Sequence, residues 1–103
     1  MSKQRFEALK EAWHRDIGAS SSITLICNSE PYKQIIAMGM EAIPYMLEDM
    51  ILNGPDHWFV ALYLISGEFP TKHEDAGKMQ VMADKWIAWG RAEGYLPPET
   101  YNG

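Results

Sequence analysis

The chain has 103 residues and a mass of 11.7 kDa, with 47% hydrophobic and 22% charged residues. A chain of this length holds one ordinary domain rather than two, and these fractions are close to globular averages, which excludes wholesale disorder. A single cysteine excludes an internal disulfide. We therefore expect one domain, over residues 1–103, that is stabilised by its core.

The charge of the chain is concentrated in its middle. Nine Lys and Arg against fourteen Asp and Glu give a net charge of −5, yet no Lys or Arg lies between Lys33 and Lys72. A surface of this charge repels phosphate backbones, and no basic cluster elsewhere marks a nucleic-acid footprint, so direct nucleic-acid binding is not expected. The interval contains five acids: Glu41, Glu48, Asp49, Asp56 and Glu68.

The sequence predicts a cytoplasmic protein that does not cross a membrane. No stretch is long and apolar enough to span a bilayer. The N-terminal stretch is charged and helically patterned, which is unlike a secretory signal.

Helices are predicted from the first residues onward, where apolar side chains recur every three or four positions: Phe6, Leu9, Trp13 and Ile17. Gly18 ends this first helix. The run ITLIC, residues 23–27, follows three serines that offer helix caps, and it predicts either a helical turn or an isolated strand. Ser29 and Pro31 open the next helix, which ends at Gly39.

A further helix is predicted from Glu41 to Asn53. Pro44 is tolerated in its first turn, and Gly54 and Pro55 break it. Its apolar side chains share one side: Ile43, Met46, Leu47, Met50 and Ile51.

The segment HWFVALYLIS, residues 57–66, has almost no polar face, which predicts a helix buried on all sides. Asp56 is placed to cap this helix and Gly67 to end it. Ala61 and Leu62 are then expected at the centre of the core.

The last predicted helix opens with a T-x-x-E capping box formed by Thr71 and Glu74. Gly94 and the pair Pro97-Pro98 end it. No hairpin signal lies between alternating apolar runs. The predicted class is all-α, a compact bundle of five or six helices.

The segment from Ile35 to Glu68 resembles a HEAT repeat, with a Gly, an Ala-Ile-Pro, a leucine-patterned helix, a turn with an Asp and a second helix. The resemblance implies a HEAT-like helical hairpin at the centre of the bundle. The whole pattern is also similar to small uncharacterised helical proteins of bacteria and their mobile elements. The residues that carry the HEAT resemblance are Gly39, Ala42, Ile43, Pro44, Leu47, Asp56, Ala61, Leu62 and Ile65.

Catalytic and metal-binding constellations are not recognisable in the sequence. His73 is followed by two acids but has no second His or Cys four residues on, and Cys27 has no base beside it. No glycine-rich loop precedes a Lys-Ser or Lys-Thr pair. We therefore predict no catalytic residue, no metal and no cofactor. An alternative stays open: a small-ligand or metal-assisted enzyme with a pocket near His57 and His73.

The favoured hypothesis is a non-enzymatic interaction protein that binds a protein partner with a basic surface. Small acidic proteins of mobile elements and phages include inhibitors that occupy such surfaces, so an inhibitory role is implied. Glu41, Glu48 and Asp49 are seven and eight positions apart, which predicts one acidic helix face. The predicted partner-binding residues are Glu41, Glu48, Asp49, Asp56, Trp89 and Tyr95.

Overall fold

The structure is a computed structural model that describes residues 2–18 and 22–97. The described residues form six α-helices and two 3-10 turns and contain no strand, so the predicted all-α class is confirmed. Ser20, Ser21 and Pro98, which contribute to the predicted helix ends, lie outside the described residues. The elements are α1 (Ser2–Ile17), α2 (Ile23–Asn28), α3 (Glu30–Ala37), a 3-10 turn (Gly39–Ala42), α4 (Ile43–Asn53), α5 (Phe59–Ser66), a second 3-10 turn (His73–Asp75) and α6 (Met79–Glu93).

Several helix boundaries lie where glycine and serine predict them. Gly18 and Gly67 follow α1 and α5 with φ values of 52° and 74°, in the left-handed region that favours glycine. The run ITLIC is helical rather than extended, and the Leu25 N–H donates to Ser22 Oγ at 3.4 Å in the first turn of α2. The helical alternative is therefore the correct one for this run.

The segment from Ile35 to Glu68 contains the end of α3, the first 3-10 turn, α4 and α5. Residues 54–58 join α4 to α5 and include Asp56. The segment therefore contains two consecutive helices with a short connection, whereas its HEAT-like character stays a prediction.

The core is built around α3, which packs against α1 and α5, while α4 packs against α6. Ala61 and Leu62 are fully buried, which confirms their predicted place in the core. Aromatic side chains bury large apolar areas and dominate the energetics of a small core. The bulkiest fully buried side chains are Trp13, Trp58, Trp86, Tyr32 and Phe6.

Two buried indole rings make both apolar contacts and hydrogen bonds. The ring centroids of Trp13 and Trp58 are 4.6 Å apart. Trp13 Nε1 donates to the carbonyl oxygen of Ile26, and Trp58 Nε1 donates to Oδ2 of Asp49, both at 2.9 Å. A buried N–H without an acceptor destabilises a fold, so these bonds permit the rings to lie in the core.

The start of α5 is capped by a residue from another helix. Asp56 is predicted to cap this helix, but α5 begins only at Phe59, and Asp56 Oδ1 accepts from the neighbouring N–H of His57 at 2.8 Å. The buried Tyr32 of α3 replaces it, because its hydroxyl accepts from the Ala61 N–H at 3.0 Å and donates to the His57 carbonyl at 2.8 Å. The predicted cap is therefore wrong, and Tyr32 satisfies one of the free N–H groups of the first turn.

We expect Tyr32→Phe to lower the free energy of unfolding by about 1 to 3 kcal/mol, because two backbone groups at the start of α5 lose their partner. Tyr45→Phe is the matched control, since Tyr45 packs on Phe6 without a hydrogen bond from its hydroxyl among the described residues. Urea denaturation, monitored by tryptophan fluorescence, measures the free energy of unfolding of both variants. Equal stability of the two variants would contradict the capping role of Tyr32.

The capping box predicted for Thr71 and Glu74 is wrong by one residue. The Lys72 N–H donates to Asp75 Oδ2 at 2.7 Å, and Lys85 Nζ donates to the same oxygen at 2.6 Å. These bonds organise the second 3-10 turn rather than the final helix. Gly77, with a φ of 84°, separates that turn from α6, which starts at Met79.

Gly90 allows α6 to approach α4 closely. A Cβ at this position would collide with Cδ1 of Leu47, which is itself fully buried. Glycine inside a helix costs about 1 kcal/mol relative to alanine. The close approach therefore gives this glycine a packing role in the middle of α6.

Candidate functional site

Three of the four acidic residues predicted to bind a partner lie near the surface. Glu41 is exposed on the first 3-10 turn. Glu48 Oε1 accepts from Lys3 Nζ at 3.2 Å, and Asp56 Oδ2 lies 2.8 Å from His14 Nε2. Glu48 and Asp56 therefore already have charged or polar partners within the chain.

Asp49 is buried, so the prediction that it belongs to an exposed acidic face is wrong. Its Oδ1 accepts from Lys10 Nζ and Asn53 Nδ2, both at 2.8 Å, and its Oδ2 accepts from Trp58. Burial opposes ionisation, but these hydrogen bonds outweigh it and hold the pKa of the Asp49 carboxyl below its usual range. The carboxylate joins α1 to α4 and to the turn before α5.

The predicted acidic face is absent because the helical register is interrupted. Glu41 lies on a 3-10 turn with three residues per turn, and α4 begins only at Ile43. Glu48 and Asp49 are successive residues, about 100° apart around an α-helix. That rotation leaves Glu48 near the surface and brings Asp49 into the core.

Trp89 and Tyr95, the predicted aromatic contact residues, pack on the protein itself. Their rings stack with centroids 5.3 Å apart, and Trp89 makes an edge contact with Trp86 at 5.1 Å. The Tyr95 N–H donates to the carbonyl of Gly90 at 2.8 Å, which folds the chain back over the end of α6. Both rings are half-buried against the core, so they present little free apolar surface.

An exposed apolar surface near the centre of the chain belongs to α5. Only Ala61 and Leu62 of this helix are buried, so the prediction of a helix buried on all sides is wrong. The opposite side, together with one residue from the following loop, is open to solvent. We call this surface the α5 face: Val60, 36% exposed, Tyr63, 47%, Leu64, 57%, and Phe69, 65%.

The loop after α5 holds Phe69 against the helix. Gly67 adopts a left-handed conformation, and the Glu68 N–H donates to Ser66 Oγ at 3.0 Å. The ring of Phe69 then meets the edge of Tyr63 at 5.6 Å between centroids, with the planes at 76°. The two rings thus form an ordered aromatic pair at one end of the α5 face.

A small apolar pocket lies at the other end of the α5 face. Its volume is about 150 Å³, and Val60 belongs both to it and to the face. His57 lines this pocket, whereas His73 is not one of its lining residues. The lining residues are Cys27, His57, Phe59, Val60 and Met82.

The pocket does not contain an activated nucleophile. Burial raises the pKa of the Cys27 thiol, against an opposing effect of the Tyr32 hydroxyl. The thiolate is the nucleophilic form, and a raised pKa keeps the group as a thiol at neutral pH. Across residues 2–18 and 22–97, no three side chains of His, Cys, Asp or Glu converge in a way that would hold a metal ion.

A wider groove runs along α1, but it is open and carries charges of both signs. Lys10 bridges Glu7 at 3.1 Å and Asp49 at 2.8 Å, and Arg15 bridges Glu11 at 3.3 Å. Its charges are therefore largely neutralised by internal ion pairs. The residues along it are Glu7, Ala8, Lys10, Glu11, His14 and Arg15.

The apolar run of α5 is too short to be a transmembrane segment, since the helix covers only Phe59–Ser66. None of the other helices in the described parts of the chain combines the length and apolar character needed to cross a bilayer.

The α5 face escapes sequence reasoning because a continuous apolar run is compatible with a fully buried helix and with a half-exposed one. The useful signal is the size of the domain, since about 100 residues cannot surround every helix.

No protein-family model, curated protein or solved structure matches this chain, so its function has to be inferred from these surfaces.

Proposed function

We propose that this chain is a non-enzymatic, acidic helical module that binds another protein through the α5 face. The observation that carries the proposal is the exposure of four neighbouring apolar side chains, two of them aromatic. Contiguous exposed apolar patches of a few hundred Å² on a soluble domain are often interaction sites. Tyrosine and phenylalanine are also enriched in the buried centres of protein interfaces.

The support beneath the α5 face suits it to recognition. Ala61 and Leu62 anchor the inner side of α5 in the core, and Tyr32 fixes its first turn by two hydrogen bonds. A helix held in this way presents Tyr63 and Leu64 in fixed positions. Little of the backbone then has to become ordered on binding, so the entropic cost is small and the affinity is higher.

The charge of the chain favours a partner with basic residues. The net charge is −5, and the segment that contains α5 has no Lys or Arg between Lys33 and Lys72. Among the described residues Glu41 and Glu68 have no ion pair, and Glu68 directly precedes Phe69 of the α5 face. Opposite charges steer association and help to select the partner. The resemblance to small uncharacterised helical proteins of bacteria and their mobile elements extends the proposal to a mobile-element or phage inhibitor that occupies a basic surface of a host protein.

The experiment is site-specific photo-crosslinking in cells of the source organism. A benzophenone amino acid replaces Leu64 on the α5 face or, as a matched control, Leu52, which is 72% exposed at the end of α4. A third version carries it at Glu41, an exposed member of the acidic residues predicted to bind a partner. We expect a discrete crosslinked protein from position 64 that is absent, or at least about tenfold weaker, from position 52.

Excess unlabelled parent protein should compete with this crosslink, whereas excess protein with Leu64→Ser should not. The same adducts from both positions, or adducts from position 41 but none from position 64, would contradict binding through the α5 face. The latter result would return the contact surface to the acidic residues.

A further inference from the structure

The small pocket beside Val60 continues the α5 face toward the start of the helix. On the basis of the proposed function, we infer that the partner presents an amphipathic helix, with one phenylalanine-sized side chain filling this pocket and a basic residue facing Glu68. The face, the pocket and the acidic residue lie on or directly beside one short helix, α5, so a single partner segment can reach all three.

The size and lining of the pocket fit a side chain rather than a free ligand. Its volume of about 150 Å³ matches the apolar cavities that hold one benzene molecule. Pockets that bind cofactors and drug-sized ligands measure roughly 300 to 1,000 Å³. Phe59, Val60 and Met82 supply apolar walls, and the Cys27 thiol is itself a weakly polar group.

The extent of the α5 face favours a partner helix over a second copy of this chain. The exposed fractions of its four apolar side chains correspond to an area on the order of 400 Å². A stable dimer buries about 800 Å² on each partner. A helix lying in an apolar groove reaches useful affinity with a few anchor side chains at i, i+3, i+4 and i+7, which suits the smaller area.

The charges at the two ends of α5 favour a basic residue on the partner. The chain has no Asp, Glu, Lys or Arg between Asp56 and Glu68. Asp56 is already close to His14, whereas Glu68 is exposed and has no ion pair among the described residues. A lysine or arginine near the end of the partner helix would therefore meet an uncompensated carboxylate.

A set of synthetic amphipathic helices tests the inference. Each has about 15 residues, the length at which isolated helices become stable. The first has leucines and one central phenylalanine on its apolar face and lysines on the other. In the second, alanine replaces phenylalanine, and in the third, glutamate replaces lysine. Affinity is measured by fluorescence anisotropy with up to millimolar protein.

We expect the phenylalanine–lysine peptide to bind at least about tenfold more tightly than either other peptide. Protein labelled with ¹³C at its methionine methyl groups locates the binding, because Met82 lines the pocket while Met40 is exposed elsewhere. The Met82 methyl resonance should shift with the phenylalanine peptide, and Met40 should not. Leu64→Ser should weaken binding, and Leu52→Ser should leave it unchanged.

The possible failures have distinct signatures. Binding that depends on Leu64 but leaves the Met82 resonance unmoved, or is equal for phenylalanine and alanine, overturns the pocket inference and leaves the α5 face as a binding surface. Binding to none of the peptides overturns the inference as well. Self-association that Leu64→Ser abolishes, measured by analytical ultracentrifugation, would identify a second copy as the occupant. Binding that is insensitive to Leu64→Ser would contradict the proposed function itself.

Discussion

Replacing Asp49 by alanine is expected to lower the free energy of unfolding by about 3 to 5 kcal/mol, the usual cost of removing one partner from a buried ion pair. Lys10, whose side chain is only 17% exposed, loses its closest counter-charge. The indole N–H of Trp58 and the amide of Asn53 lose their acceptor at the same time. The variant therefore leaves the Trp58 N–H without its acceptor inside the core, while Lys10 keeps only its ion pair with Glu7 at 3.1 Å.

The neighbouring Glu48→Ala is the matched control for Asp49→Ala. Glu48 pairs with Lys3, and both side chains are about half exposed, so the control should cost less than about 1 kcal/mol. Guanidinium denaturation at neutral pH measures the two variants. If Asp49→Ala were no more damaging than Glu48→Ala, the hydrogen bonds at Asp49 would not stabilise the fold.

The same carboxyl gives the parent protein a defined acid sensitivity. The folded-state pKa of Asp49 is lower than the ordinary value of 3.8, so its stabilising effect is complete above that value and is lost as the pH falls through the folded-state pKa. Asp49→Asn should flatten the acid limb of a plot of stability against pH. Part of the acid limb should remain in Asp49→Asn, because Asp75 also loses a stabilising charge as the pH falls. Hydrogen bonds from Lys85 and the Lys72 N–H lower the pKa of the Asp75 carboxyl.

Leu62→Ala is expected to lower the free energy of unfolding by about 2 to 5 kcal/mol, because it removes fully buried methyl groups and leaves a cavity. Leu64→Ala makes the same chemical change two residues along the same helix, at a side chain that is 57% exposed. Its cost should stay within about 1 kcal/mol, mostly from lost partial burial.

Thermal and urea denaturation of the two leucine variants therefore measure the two sides of α5 separately. Comparable losses would show that Leu64 is as buried as Leu62, and the α5 face would not exist. A near-neutral Leu62→Ala would instead remove α5 from the core.

Local sequence rules predict the helical elements of this fold well. Gly18 and Gly67 end helices in left-handed conformations, and Pro31 and Pro44 lie in the first turns of α3 and α4. Leu62 lies in the core, as its apolar segment indicates. These features depend on neighbouring residues in the chain, which is why the sequence alone suffices for them.

Features that depend on distant residues could not be predicted in this way. The burial of Asp49 is compensated by Lys10, 39 positions away, and Tyr32 caps a helix whose bonded groups lie 25 and 29 positions later. The side of α5 that faces solvent is likewise decided by which helices pack on it. Apart from Ser66 at its end and the amphipathic Tyr63, α5 contains no polar residue that would indicate its exposed side.

The affinity of the crosslinked partner for three purified proteins tests the central claim most directly, namely that the α5 face is the contact surface. Parent, Leu64→Ser and Glu48→Lys are titrated at low and high salt. We expect Leu64→Ser to weaken binding about tenfold or more at both salt concentrations, because an apolar contact is little screened. Glu48→Lys should change binding far less, and mainly at low salt. Unchanged affinity for Leu64→Ser, together with a large loss for Glu48→Lys that disappears at high salt, would contradict the account and place the contact on the acidic residues.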